Sequence, residues 1–277
     1  MTKRKTGKPT GKSATPSGGK GRSAKGGQIW LWGGHAVLAA LSNPNRRCER
    51  LIVAQDAVEQ WQNAAQSRLK ARPDVENGLE AMGRTDLERV IGRGAVHQGI
   101  ALQATPAPQP ELIEVLDRLS PDREACIVLL DQVSDPQNVG AVLRSAAAFG
   151  ATAVVTTERN APHETGALAK AASGGLELVP FVHVTNLARS LDELREAAFH
   201  TIGLAGDGNT LLSEASDSRT AIVLGAEGSG LRRLTRERCD RLVRLPTQST
   251  LADLNVSNAA AVTLYELHGR ARGRTST

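Results

Sequence analysis

LVRLPTQSTLADLNVSNAAAVTLYEL, Leu242 to Leu267, runs from a short apolar strand through a polar loop into a helix that begins near Asn255 and Ser257. Two earlier stretches share this plan. LLDQVSDPQNVGAVLRSAAAFGATAVV, Leu129 to Val155, and IVLGAEGSGL, Ile222 to Leu231, are each an apolar strand that ends in a loop of small and polar residues. In a sheet covered by helices, such loops gather at the carboxyl ends of the strands, where ligands bind. The three stretches therefore predict one site assembled from loops that are distant in sequence.

The chain around them supports that sheet. From Glu124 onward, apolar runs such as CIVLL, TAVVTT, LVPFVHV, HTIGLAG, AIVLG and RLVRL alternate with helical segments. Near-continuous apolar strands separated by helices indicate a parallel sheet buried on both faces, an α/β fold. The glycine-rich G-x-G-x-x-G turn of dinucleotide-binding sheets is absent after the first of these strands, where DQVSDPQNVG stands instead. That counts against a nicotinamide cofactor and against the common methyltransferase fold.

The loops also hold residues that local structure leaves unexplained. Asp135 suits a helix N-cap with Pro136 in the first turn, but neither Asn138 nor Arg144 is needed for that helix. Arg144 interrupts a run of apolar and small residues, and helical side chains lean back toward the N-terminus, which directs its guanidinium toward the loop. Gly225, Gly228 and Gly230 permit tight turns and close approach to a ligand around Glu227. Asn255 and Ser257 have an ordinary reading as caps of the last helix.

Taken together, N-x-G-x-x-x-R at Asn138 to Arg144, G-x-E-G at Gly225 to Gly228, and a proline followed by L-N-V-S, at Pro246 and Leu254 to Ser257, resemble the SpoU family of RNA ribose methyltransferases. The resemblance covers most of the chain. It implies a SPOUT catalytic domain over residues 122–277, with a deep trefoil knot that buries S-adenosylmethionine and pairs as a homodimer. Gly225, Ala226, Gly228, Leu245 and Leu254 match positions around the cofactor. Asn138, Arg144, Glu227, Asn255 and Ser257 match the catalytic centre, the arginine assisting removal of the ribose 2′-hydroxyl proton. No metal is implied. Thr247, Ser249 and Asp253 depart from the residues usual in the third block and bear on loop detail and substrate preference.

The first part of the chain reads differently. QIWLWGGHAVLAAL, a strand-like RLIVA, a helix near Asp56 to Lys70 and a small strand pair ending in AVHQGIALQA form a compact α/β unit over residues 28–104. It resembles the small substrate-binding domain, similar to ribosomal protein L30e, that precedes many SpoU catalytic domains. His35 and His97 fit turn-packing roles in it. Thr105 to Pro121 carries prolines at 106, 108, 110 and 121 around one short helical segment and reads as a linker.

Charge is concentrated at the start. Of 34 Lys and Arg, eight lie in residues 1–27 without a single acid, leaving 26 against 29 Asp and Glu in the rest. A Gly-, Ser- and Pro-rich arm of this kind cannot bury enough apolar surface to order itself, and it suits contact with phosphates, although a solubilising tail is the plain alternative. Aromatic content of 3% disfavours binding by rows of stacked bases. Cys48, Cys126 and Cys239 form no C-x-x-C pair, and no window approaches the roughly 18 apolar residues of a membrane span. Charge and cysteine usage fit a cytoplasmic protein, and the SpoU resemblance implies an enzyme that methylates a ribose in structured RNA, a guanosine of 23S ribosomal RNA before a transfer RNA. A non-catalytic RNA-binding assembly factor of the same fold is the alternative from another class.

Overall fold

The computed structural model describes residues 27–75, 77–120, 122–214, 218–248 and 254–269. Residues 1–26 of the basic arm, and Ser249 and Asp253 of the third block, lie outside the described residues.

A four-stranded sheet comes first, from β1 (Ile29–Trp32), β2 (Cys48–Ala54), β3 (Leu79–Met82) and β4 (Ile100–Ala104), in the order β1-β4-β2-β3. β4 runs antiparallel to β1 and β2, and β3 runs parallel to β2. β3 and β4 are therefore not the neighbouring pair that the sequence predicts. They flank β2, because a parallel neighbour needs a crossover, and α2 (Val58–Leu69) supplies it. α1 (Gly34–Ser42) and α3 (Arg84–Ile91) complete this unit.

The second sheet has seven strands, all parallel: β5 (Ala125–Asp131), β6 (Ala153–Thr157), β7 (Phe181–Val184), β8 (His200–Leu204), β9 (Thr210–Leu211), β10 (Arg219–Gly225) and β11 (Arg241–Arg244). Their order is β7-β6-β5-β10-β8-β11-β9. Alternate residues of the central strands face opposite cores. Val128, Leu130, Val154, Ile222 and Leu224 pack beneath α5 (Pro136–Phe149), α6 (Gly166–Ala172) and α9 (Val256–Leu264). Ile127, Leu129, Val155, Ala221 and Val223 pack on the other side with α4 (Leu112–Asp117) and α7 (Leu187–Glu196). Every residue of β5 is buried, as expected for a strand covered on both faces.

α5 is shaped by its ends and by one glycine. The Asp135 carboxylate accepts from the Gln137 amide at 3.1 Å, with Pro136 in the first turn. A Cβ at Gly140 would stand 2.6 Å from the Leu168 carbonyl oxygen and against Ala171, so glycine lets α6 cross α5 in backbone contact.

The two sheets share one continuous core. A Cβ at Gly166 of α6 would overlap the Trp32 ring of the first unit. Beside this contact, Arg46 reaches from the loop before β2 to Glu164 and Glu177, which lie on either side of α6. The proline-rich connection is equally anchored: the Ala107 amide donates to Glu164 at 2.7 Å, and Leu112 and Val115 of α4 are buried. It is a packed strap rather than a free tether.

Candidate active site

The carboxyl ends of β8, β10 and β11 open into a cavity of about 710 Å³. Its walls come from Leu204 to Asp207 after β8, Leu224 to Leu231 around the end of β10, Leu245 to Thr247 after β11, and Leu254 with Ala259 at the last helix. Gly225, Ala226, Gly228, Leu245 and Leu254 all line it, as does Glu227. A Cβ at Gly225 would overlap the backbone of Gly230 and Leu231, so the loop can close over the strand end only with glycine there. Gly228, at φ +80°, takes a conformation that side chains disfavour.

On one wall of this cavity the three loops meet through polar side chains. Asn138, in the first turn of α5, donates from Nδ2 to Glu227 Oε1 at 3.1 Å. Asn255 donates from Nδ2 to Asn138 Oδ1 at 3.0 Å and also to Glu227 Oε1. Asn255 Oδ1 in turn accepts from the Ser257 amide at 2.9 Å and from its hydroxyl at 2.6 Å. Asn255 is thus the N-cap of α9 and a member of the cluster at once: its oxygen serves the helix, and its amide nitrogen serves Asn138 and Glu227. Sequence distance is no obstacle, since parallel β5 and β10 place Asp131 opposite Gly225 and bring the loops after them side by side.

Arg144 is not joined to this cluster by a hydrogen bond. It lies six residues beyond Asn138 on α5, about 9 Å along the axis at 1.5 Å per residue and on a different face. It is exposed, and none of the bonds within the Asn138, Glu227 and Asn255 cluster involves it. Its backbone is firmly held, because a Cβ at Gly175 would come within 3.1 Å of the Arg144 Cα.

The sequence reading missed several residues that shape the site. Asp131, fully buried at the end of β5, accepts from the Arg232 amide at 2.9 Å and its Nε at 2.6 Å, tying the glycine loop to the sheet. Arg236 and Asp207 pair at 2.7 Å on the cavity rim. Charged residues at such spacing look like surface in a sequence, and no local signal marks them. His97 is buried and its Nδ1 accepts from the Gly99 amide at 3.0 Å, the turn-packing role expected of it, while His35 is exposed. Among the described residues no group of three or more His, Cys, Asp or Glu is placed to hold a metal ion, and no helix is long and apolar enough to cross a membrane.

Comparison with known proteins shows the family. Residues 125–265 match the SpoU rRNA Methylase family, and residues 30–110 match the family described as RNA 2′-O ribose methyltransferase substrate binding. A 23S rRNA (guanosine-2′-O-)-methyltransferase RlmB of Vibrio vulnificus is 37% identical, over 86% of this chain and 95% of its own length. The RlmB of Escherichia coli is 34% identical, over 85% of this chain and 96% of its own. In fold, the SpoU methyltransferase AviRb of Streptomyces viridochromogenes, solved with AdoMet, superposes with a TM-score of 0.70 at 23% identity, covering 90% or so of each chain (89% of this one, 91% of that one). With its family signature over more than half its length and relatives matched nearly end to end, the chain belongs to the SpoU rRNA methylase family.

Proposed function

We propose that the protein transfers a methyl group from S-adenosylmethionine to a ribose 2′-hydroxyl of structured RNA, the target being a guanosine of 23S ribosomal RNA. One observation carries the reading: the cofactor-sized cavity shares a wall with the bonded cluster of Asn138, Glu227 and Asn255. The relatives that span the chain supply the substrate, since they act on guanosine in 23S rRNA.

The cavity fits the cofactor on its own terms. Its volume lies in the range of small-molecule sites. Leu204, Leu224, Leu245 and Leu254 offer apolar walls to an adenosine, and exposed backbone at Gly225 to Gly228 offers hydrogen bonds without side chains in the way. Glu227 and Asp207 suit the positive sulfonium and amino groups, and Arg236 and Arg244 suit the carboxylate. When bound, S-adenosylmethionine supplies an electrophilic methyl group.

The protein's own task is alignment and handling of one proton. Two amide donors hold Glu227 in one orientation on the wall where the ribose must meet the cofactor. Holding reactants near contact supplies roughly 7–11 kcal/mol of the barrier. Arg144, exposed and with its backbone fixed, places a neighbouring phosphate and the 2′-hydroxyl, a fork that suits both oxygens at once.

The same reading includes the division of the chain into a basic arm, an L30e-like RNA-binding unit, a connecting strap and the catalytic domain, with a cytoplasmic location. A trefoil knot is supported by the path after β11, which leaves the far side of the sheet yet returns to pack α9 on α5 and β10. A homodimer is supported by apolar side chains on α9 and the turn after it, with Val262 47% and Tyr265 53% exposed. Mapping ribose methylation in ribosomal and transfer RNA with and without the gene tests the function. Loss of one 23S guanosine methylation is the expected result, and an unchanged map refutes the reading.

A further inference from the structure

Five residues other than glycine adopt positive φ among the described residues, and two of them touch each other beside the active site. Gln132 (φ +65°) directly follows β5, and Asn160 (φ +68°) lies in the turn after β6. Asn160 Nδ2 donates to Gln132 Oε1 at 3.3 Å. Asparagine tolerates this backbone region, but glutamine rarely enters it, and strain of this kind persists where the surrounding structure enforces it, commonly at functional sites. The surroundings do enforce it. Asp131 is locked inward by Arg232, the Thr157 hydroxyl donates to the Arg159 carbonyl at 2.7 Å, and the Glu158 amide donates to the Val184 carbonyl at 2.9 Å.

Position gives the pair a task. Asp131 lies opposite Gly225 where the β5–β10 register ends, so Gln132 and Ala226 are the first residues beyond it, and Glu227 is the next after Ala226. The cofactor cavity extends from β10 toward β8 and β11. The ends of β5 and β6, where Gln132 and Asn160 stand, lie on the other side of β10 from that cavity. Their mutual bond uses Gln132 Oε1 and Asn160 Nδ2. It leaves Gln132 Nε2, a donor, and Asn160 Oδ1, an acceptor, without hydrogen bonds among the described residues, and both residues are open to solvent.

We propose that Gln132 and Asn160 form a specificity-determining pair that reads the base of the target nucleotide, Gln132 Nε2 donating to guanine O6 and Asn160 Oδ1 accepting from its N1–H and amino group. An adenine offers a donor where guanine offers O6 and so mismatches the glutamine. Exposed Arg159 beside the pair suits the flanking phosphate. This inference rests on the ribose methyltransferase reading and deepens it.

The test uses the full-length protein, labelled S-adenosylmethionine and a 23S RNA fragment carrying the mapped target as guanosine or as 6-thioguanosine, which replaces O6 with a weakly accepting sulfur and keeps N1–H and the amino group. Gln132→Gly relieves the positive φ and removes the amide. The expected result is a Tm equal to or above wild type, unchanged cofactor affinity, and a fall in kcat/KM on guanosine of at least about fivefold, the worth of one hydrogen bond whose partner is left unpaired. The wild type should lose most of that factor on 6-thioguanosine, and Gln132→Gly should lose little more. Gln132→Asn, which keeps an amide and tolerates the backbone, should recover part of the guanosine rate. Equal 6-thioguanosine penalties in wild type and Gln132→Gly overturn the proposal, as does a wild-type guanosine rate in Gln132→Gly or a mapped target that is not guanosine. Absence of transfer by the wild type to any RNA instead refutes the methyltransferase reading, so the two failures are distinct.

Discussion

Arg46 and Glu164 form an ion pair of 2.6 Å whose side chains are almost fully withdrawn from water, at the seam between the two sheets. Glu177 binds the same guanidinium, Asn43 donates to Glu177 at 2.7 Å, and Arg46 Nη1 also reaches the Thr105 carbonyl at 2.9 Å. Burial pushes the Glu164 carboxyl up and the cation opposes that push. Such a cluster adds little over an apolar isostere, yet removing one member leaves a buried charge unmatched. Arg46→Met should therefore cost about 3–5 kcal/mol in urea unfolding, and adding Glu164→Gln with Glu177→Gln should recover a large part. A cost below about 1 kcal/mol for the single change would show that the seam is open to water.

The cavity makes a prediction about the cofactor. The purified protein should bind S-adenosylmethionine or its demethylated product in EDTA, since the lining residues suffice without a metal. Gly225→Val should weaken binding at least about tenfold, roughly 1.4 kcal/mol, because the added side chain must displace the backbone of Gly230 and Leu231. Isothermal titration reads both. Metal-dependent binding, or wild-type affinity in the variant, would contradict the assignment.

Much of this site was legible in the sequence. Gly225, Gly228, Asn138 and Asn255 each have an ordinary local reading as turn or cap, and the resemblance of their three blocks to the SpoU family is what joined them into one site. Asp131, Arg46 and Gln132 carry no such mark. Asp131 and Arg46 are charged residues whose burial depends on partners 101 and 131 residues away, and Gln132 adopts positive φ without being glycine. The two-residue β9 and the insertion of β10 between β5 and β8 were likewise invisible, since neither follows from local periodicity.

His97 couples stability to pH. Burial, with Arg84 nearby, lowers its pKa below the usual histidine value. The unfolded chain therefore takes up a proton first as pH falls through about 6.5. Stability should be constant above that pH and decline below it, until the folded-state pKa is passed. His97→Gln should flatten this part of a Tm profile between pH 7.5 and 5. An unchanged slope would remove His97 as its source.

The basic arm should add affinity through phosphates. Deleting residues 1–27 removes eight cations, which should weaken RNA binding and flatten the plot of log K against log salt, while cofactor affinity stays the same. Equal slopes for the truncated and full-length protein would reduce the arm to a tail.

Arg144 separates catalysis from binding. It is exposed and its side chain joins none of the bonds of the Asn138, Glu227 and Asn255 cluster, so Arg144→Ala should keep the fold and the cofactor affinity. Methyl transfer should nonetheless fall at least about 10²-fold, the scale for losing a group that positions a proton transfer. Arg144→Lys should rescue poorly, because a point charge cannot engage phosphate and hydroxyl together as a planar fork does. Single-turnover transfer at saturating cofactor reads the step directly, free of product release. A wild-type rate in Arg144→Ala would remove the arginine from the reaction. Full rescue by lysine would reduce its part to charge alone.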